Sequence, residues 1–530
     1  MREIGKAVLK PTGIRCETLG QNGRKVFRQE GKQVLLLAVG DRLFAIANRC
    51  PHEGYPLSEG TLGPDCVLTC NWHNWKFDLA TGAALYGRDP VRIYATEVRN
   101  HEIFVDLSDP PAEAQRQQSL CGLTTAIADN DRQRIARETV RLARAGFDAK
   151  EAVVHAFRIC NERLEDGTTH AHAAAADWLV LAERATSPDR QLAGVLEPLG
   201  HIARDTQGAG KFPYAAGIAR WHTRAFLAAI EAEDEAAAVA LVRGALADGM
   251  RYAQLQPVFA EAALSHYADF GHCAIYAFKA GQLIERLGEV VAEPVLLAFT
   301  RMLARATREE RLPEFRSYSR ALASWNGSGM EVPRPENFSG QSIEGALRQT
   351  LACSGRPPRE LYNALLGAAA FNLLNFDTAF DQATTNGMKD NIGWLDFTHA
   401  LTFANACRHL CEERPDLWAR AALQLSLFVG RNRKYVNSGD NRDEWHVGNR
   451  EAFVSSGQKT LYDHGIVEPI IACHRLKVLF ALEDELSDAP DAPWADAMCA
   501  GVNRYLHIPM KRHHGLRTAA QAVDFVSKEA

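Results

Sequence analysis

Two cysteines and two histidines between residues 49 and 78, RCPHEGYPLSEGTLGPDCVLTCNWHNWKFD, have the types and spacing of a metal centre. Cys50 and His52 form a Cys-x-His pair, and Cys70 and His73 form a Cys-x-x-His pair. Two thiolates and two imidazoles on paired loops can hold zinc. They can equally hold a [2Fe–2S] cluster, with the cysteines on one iron and the histidines on the other.

Around these pairs lie Pro51, Gly54 and Leu57 on one side and Trp72, Trp75 and Phe77 on the other. With these flanks the stretch resembles the two cluster-binding loops of the Rieske proteins, over roughly the first 110 residues. The resemblance implies that Cys50, His52, Cys70 and His73 hold a [2Fe–2S] cluster, with its histidines exposed at a sheet's tip. High-potential Rieske domains usually carry an extra cysteine in each loop, joined in a disulfide. Here those regions read Glu53-Gly54-Tyr55 and Asn71-Trp72-His73-Asn74, so the resemblance is to the ferredoxin and oxygenase kind, which implies a lower potential. Asn71 stands where the family often has Pro. Cys16 and Cys66 read as small buried or loop residues.

The elements that must carry these loops are short β-rich runs at 25–28, 33–39, 43–48, 67–69, 91–97 and 103–107. Apolar residues alternate there with polar ones between Gly, Asn and Asp turns, as in a small antiparallel β-domain. Asp109-Pro110-Pro111 opens a polar stretch that reads as a linker over 111–130. From 131 to 530 the chain is rich in Ala, Leu, Glu and Arg at helical spacing, and predicts one large all-α domain, divisible near 326–340. The fold class is therefore multidomain α+β, a Rieske-like β-domain of residues 1–110 followed by helices. The common Rieske oxygenases have a sheet-based catalytic domain, and no such pattern follows here.

The chain has 530 residues, too many for one core, and a formal charge of −5 with no basic block. Neither nucleic acid nor a membrane surface is expected as a partner. No apolar leader opens the sequence, no window is long and apolar enough for a membrane span, and twelve scattered cysteines form no disulfide framework. A cytoplasmic protein is expected. No Gly-x-Gly-x-x-Gly follows a strand, so electrons would come from an external ferredoxin or flavin reductase. Gly208-Ala-Gly210-Lys211 lacks phosphate-loop spacing and reads as a loop.

A weak internal repeat runs through the helical part. At an offset of 127 residues, 266–286 aligns with 393–413, matching Asp269 with Asp396 and His272 with His399. At an offset of 102, His170 matches His272. Asp-x-x-His puts both side chains on one helix face, and helices stacked in this way could offer two carboxylates and two imidazoles to a metal. Asp269, His272, Asp396 and His399 are the first candidates for a catalytic site, and His170, His272, His399 and His464 for the ligands of a second metal, non-haem iron. His172, the pairs Glu197/His201 and Asp443/His446, and Asp463 and Glu468 beside His464 are further candidates. The competing explanation is N-capping, with Asp accepting backbone N–H bonds and each His bonding a neighbouring helix. Cys407 and Cys411 read as helical core, Asp377 and Asp381 as a polar face, and His513-His514 as a solvated basic face.

The segments around His272 and His399 also resemble the helical questin-oxidase-like proteins, which implies an oxygenase. The expected function is a Rieske-type oxidoreductase, an oxygenase that takes electrons from an external reductase and oxidises a small organic substrate with O2. A homo-oligomer is compatible with this. The alternative is an electron-transfer or redox-sensing protein whose helical domain is a partner-binding scaffold.

Overall fold

A computed structural model describes residues 9–20, 23–382, 392–439, 442–462, 469–508 and 515–529. The chain divides into two compact units. The first comprises Met1–Ala126, Arg132–Ala149 and Arg517–Ala530, and the second Ile127–Asp131 and Lys150–Leu516.

In the first unit ten strands, β1 (Leu9–Arg15), β2 (Arg24–Gln29), β3 (Lys32–Val39), β4 (Arg42–Ala47), β5 (Thr61–Leu62), β6 (Val67–Thr69), β7 (Lys76–Asp78), β8 (Ala84–Tyr86), β9 (Thr96–Arg99) and β10 (Glu102–Asp106), form three antiparallel sheets. Their orders are β1-β10-β9, β2-β3-β4 and β5-β6-β7-β8. The apolar run Val34–Leu37 of β3 has both of its faces buried. Leu35 and Leu37 join Cys50, Leu57, Leu68, Cys70 and Phe77 in one core. Val34 and Leu36 join Ile103 and Val105 in a second core on the opposite face. Burial of such side chains contributes about 1.5–3 kcal/mol each, and it anchors the cysteines' loops to the sheet. The run expected over 91–97 enters the ladder only at Thr96; before that, Val91 and Tyr94 bond singly to Gly82 and Ala45.

The segment that reads as a linker is instead a helix, Ala112–Ala128. Pro110 and Pro111 precede its first turn, and its polar residues are mostly Gln, Glu and Arg, which are good helix formers. Nor does the β-rich unit end at residue 110. Asp89, 2 % exposed, pairs with Arg134 and Arg137 of the helix Arg132–Arg144. Arg141 of that helix pairs with Glu529, and Arg144 donates to the Val526 carbonyl, which ties in the C-terminal helix Gly515–Ser527.

Among its described residues the second unit is all helical apart from an isolated bridge between Phe376 and Val436. The helix Thr223–Glu231 starts where the His222 ring accepts the Ala225 N–H as an N-cap. Residues 326–340 hold one short helix, Pro335–Phe338, and lie within the unit rather than dividing it. Among the described residues no helix is long and apolar enough to cross a membrane.

Candidate metal centres

The two loops of the β-rich unit are built alike. The Cys50 N–H donates to the Tyr55 carbonyl, and the Cys70 N–H to the Trp75 carbonyl. The Cys50 carbonyl accepts from Gly54, and the Cys70 carbonyl from Asn74. Gly54 (φ 76°) and Asn74 (φ 60°) turn each loop back through the left-handed region, where Gly and Asn are the residues best tolerated. Both thiols are buried, and burial together with the neighbouring Cys70 pushes the Cys50 thiol up to about 12. A thiol raised in this way becomes a thiolate only when a cation compensates it. The Nδ1 atoms of His52 and His73 lie 3.1 Å apart. Two nitrogen ligands at about 2.1 Å from one metal stand about 3.0–3.4 Å apart, so the pair fits a single iron. His52 stacks on Trp75 and His73 on Trp72, which fixes both rings. Asn71 accepts from Thr61 Oγ1 and donates to the Glu59 carbonyl, lacing the second loop to the end of the first without a disulfide.

A second centre lies in the helical unit, where four histidines from four helices converge. His170 begins the helix His170–Arg184, and His272 begins His272–Leu287. His399 lies in the second turn of Trp394–Glu413, and His474 in the second turn of Pro469–Asp488. The Nε2 atoms of His170 and His272 are 3.3 Å apart, and those of His399 and His474 are 3.0 Å apart. His170, His272 and His399 bring ligand nitrogens within 4.8 Å of one another. Nδ1–H donates to a backbone carbonyl at 2.6 Å in three of them: His272 to Asp269, His399 to Leu395 and His474 to Ile470. That bond fixes the tautomer and aims a bare Nε2 lone pair at the centre. Burial holds all four imidazoles below their ordinary range, so they are neutral. Neutral lone pairs this close repel unless a metal stands between them, and imidazole sets of this kind suit Zn, Cu, Fe or Ni.

His272 is held by strained backbone. Asp269 (φ 47°, ψ 47°) and Phe270 (φ 54°, ψ 39°) are both left-handed, and Gly271 (φ 79°) follows them. A Cβ on Gly271 would meet the Phe403 ring at 2.7 Å. The turn is pinned by Asp269 N–H on the Thr307 carbonyl and Tyr267 N–H on Glu309 Oε2. Its product is the Asp269 carbonyl placed against His272.

The carboxylates that the repeat pairs with these histidines go elsewhere. Asp269 Oδ2 lies 3.9 Å from His272 Nδ1, on the side away from the centre, and its side chain is 47 % exposed. Asp396 binds Arg431 at 2.6 Å and the Gly393 N–H at 3.1 Å. His172 stacks on Phe157 and accepts the Thr169 N–H, and burial pushes it down to about 4. Glu197 and His201 lie buried on the helix Pro188–Asp205. Asp443 and His446 lie in an exposed turn. Asp463, His464, Glu468, His513 and His514 fall outside the described residues. His474 escapes sequence reasoning because it has no Asp-x-x-His partner; its one signal is a histidine inside the apolar helix IIACHRLKVLFAL. One turn after it stands Lys477, 1 % exposed, beside the Cys473 thiol. Its charge is among the causes that keep all four histidines neutral.

Twin loops that bring two thiols and two imidazoles to the edge of small antiparallel sheets define a Rieske iron–sulfur domain. Residues 14–96 match the Rieske [2Fe-2S] domain model, and the chain belongs to this family. Over 78 residues it is 37% identical to the 3-phenylpropionate/cinnamic acid dioxygenase ferredoxin subunit of Shigella boydii serotype 4 (strain Sb227), and it matches that of Escherichia coli (strain K12) to the same degree. Each match covers 14% of this chain and 74% of the relative. Among solved structures it is similar to the ferredoxin of carbazole 1,9a-dioxygenase from Nocardioides aromaticivorans IC177. That likeness is 28% in identity with a TM-score of 0.18, over 19% of this chain and 98% of the other.

Proposed function

We propose that this chain is a Rieske-dependent oxygenase whose substrate chemistry takes place at the four-histidine centre, with iron as the metal. One observation carries the reading: four neutral imidazoles from four helices converge, three of them with ligand nitrogens within 4.8 Å of one another, in a chain that also holds a Rieske domain. When loaded, the cluster supplies electrons singly, and the four-imidazole centre supplies open coordination positions at which dioxygen is reduced and an organic substrate oxidised.

The protein's own groups do the positioning. Cys50 and Cys70 keep the sulfur ligands out of water, while the exposed edge of His73 is where an external ferredoxin or flavin reductase would approach. The relatives' names, ferredoxin subunits of a dioxygenase, support an electron-carrying role for this part. In the helical unit the carbonyls of Asp269, Leu395 and Ile470 hold three imidazoles in the ligating tautomer. Four neutral ligands would leave a bound metal's charge uncompensated, which would favour an anionic substrate beside it. The resemblance to questin-oxidase-like proteins points the same way, to oxygen insertion into an aromatic ketone.

The test is a single turnover. The cluster of the full chain is reduced and mixed with O2 and aromatic ketones, and its reoxidation is followed by absorbance. Reoxidation with oxygenated product in the wild type, and loss of product in His474→Ala with the cluster signal intact, are expected. Product formation undiminished in His474→Ala would overturn the reading.

A further inference from the structure

We propose that a cleft in the helical unit, lined by none of the four histidines, binds a phosphate monoester with an apolar body. The cleft encloses about 520 Å3 between the helix Lys150–Cys160, the irregular loop after Asp205 and the start of the helix Ala292–Arg305. This is the size range of small-molecule sites, roughly 300–1,000 Å3.

Its three arginines are held by backbone carbonyls, and of its four cations only Arg243 has an ion-pair partner among the described residues. Arg158 donates to the Val290 carbonyl at 3.1 Å, Arg163 to the Ala209 carbonyl at 3.1 Å and Arg243 to the Ala215 carbonyl at 2.5 Å. One such bond orients a guanidinium, leaves its other N–H groups available and leaves its charge whole. Among the described residues Arg158, Arg163 and Lys211 have no carboxylate within ion-pair distance, and Arg243 Nε stands 3.6 Å from Glu293. Against these four cations the lining sets only Glu162 and Glu293, an excess of two positive charges. A phosphate monoester carries about −1.5 to −2 at neutral pH and matches that excess, whereas a monocarboxylate supplies half of it.

The rest of the lining suits an organic body. Ile159, Pro294 and Leu297 form an apolar side. Tyr214 is fixed beside them by its hydroxyl on Asn161 Oδ1 at 3.0 Å and by the Arg301 guanidinium 3.8 Å from its ring centre. The irregular loop is pinned by Phe212 N–H on the Glu162 carbonyl, so the wall is formed before any ligand arrives.

Calorimetric titration of the full chain with phenyl phosphate tests this, with benzoate and inorganic phosphate as comparators. Saturable binding is expected, weakened about tenfold or more in Lys211→Met and in Arg158→Gln, each change removing one charge-assisted contact. Among the described residues Lys211 makes no side-chain bond, so its variant keeps the wild-type melting temperature. Benzoate and inorganic phosphate should each bind at least about tenfold more weakly than phenyl phosphate, for want of charge and of apolar contact respectively. Absence of saturable phenyl phosphate binding, binding unchanged in both variants, or either comparator binding as tightly would overturn the proposal.

Discussion

His170 and His272 are 102 residues apart and meet Nε2 to Nε2 at 3.3 Å; two turns further along the same helices Asp177 and Lys279, also 102 residues apart, meet at 2.7 Å. Contacts in the same order along both helices mean that they run parallel, with the repeat in register across their interface. The histidine pair and the ion pair beneath it are thus two layers of one helix–helix contact.

The lower layer makes the first prediction. Asp177 and Lys279 are almost wholly buried. Removing one partner strands the other charge, at a cost of about 3–5 kcal/mol, whereas replacing both by apolar residues of similar size is about neutral. Urea unfolding should therefore show a large loss for Lys279→Met alone and recovery in Asp177→Leu/Lys279→Met.

The strained turn before His272 makes the second. Gly271→Ala puts a methyl group against Phe403 and a Cβ on a left-handed residue. A stability loss of about 1–3 kcal/mol is expected. With it should come weaker metal retention by the helical unit while the cluster's spectrum stays unchanged, read by metal analysis and electron paramagnetic resonance.

How much of this was legible in the sequence follows from how local each feature is. Cys50, His52, Cys70 and His73 lie in two short loops, so spacing and flanks carried the assignment of the cluster's family. The repeat marked His170, His272 and His399, but it paired two of them with Asp269 and Asp396, whose carboxylates are taken up by solvent and by Arg431. That allocation depends on the helix Trp418–Asn432, which brings Arg431 alongside, and no local pattern encodes it. His474 was silent for the same reason: its partner His399 lies on another helix. The helix Ala112–Ala128 was hidden by its polar composition, which suits a linker and a solvated helix equally well.

A third prediction concerns pH. The hydrogen bond to Glu309, helped by Glu231, raises His266 above its ordinary range of about 6.5. A raised folded-state value means that this stabilisation is complete below the unfolded pKa and is lost as pH rises through the folded one. The melting-temperature difference between wild type and His266→Gln should be largest near pH 6 and shrink towards pH 9. Solvent screening of the partly exposed pair limits it to about 1 kcal/mol.

Asn71 makes the fourth. Its two side-chain bonds to Thr61 and Glu59 hold the second cluster loop where no disulfide does. Asn71→Ala loses about 1–2 kcal/mol of loop anchoring, and the cluster should bleach faster in air than in the wild type.

The central claim is that one chain carries two metal centres, and iron counting tests it most directly. Iron per chain is measured in the full-length protein and in His399→Ala, alongside the resonance signal of the reduced cluster. The account predicts one iron beyond the cluster's pair in the wild type, lost in the variant while the cluster signal is unchanged. Equal iron in both proteins, none beyond what the cluster signal accounts for, would contradict it.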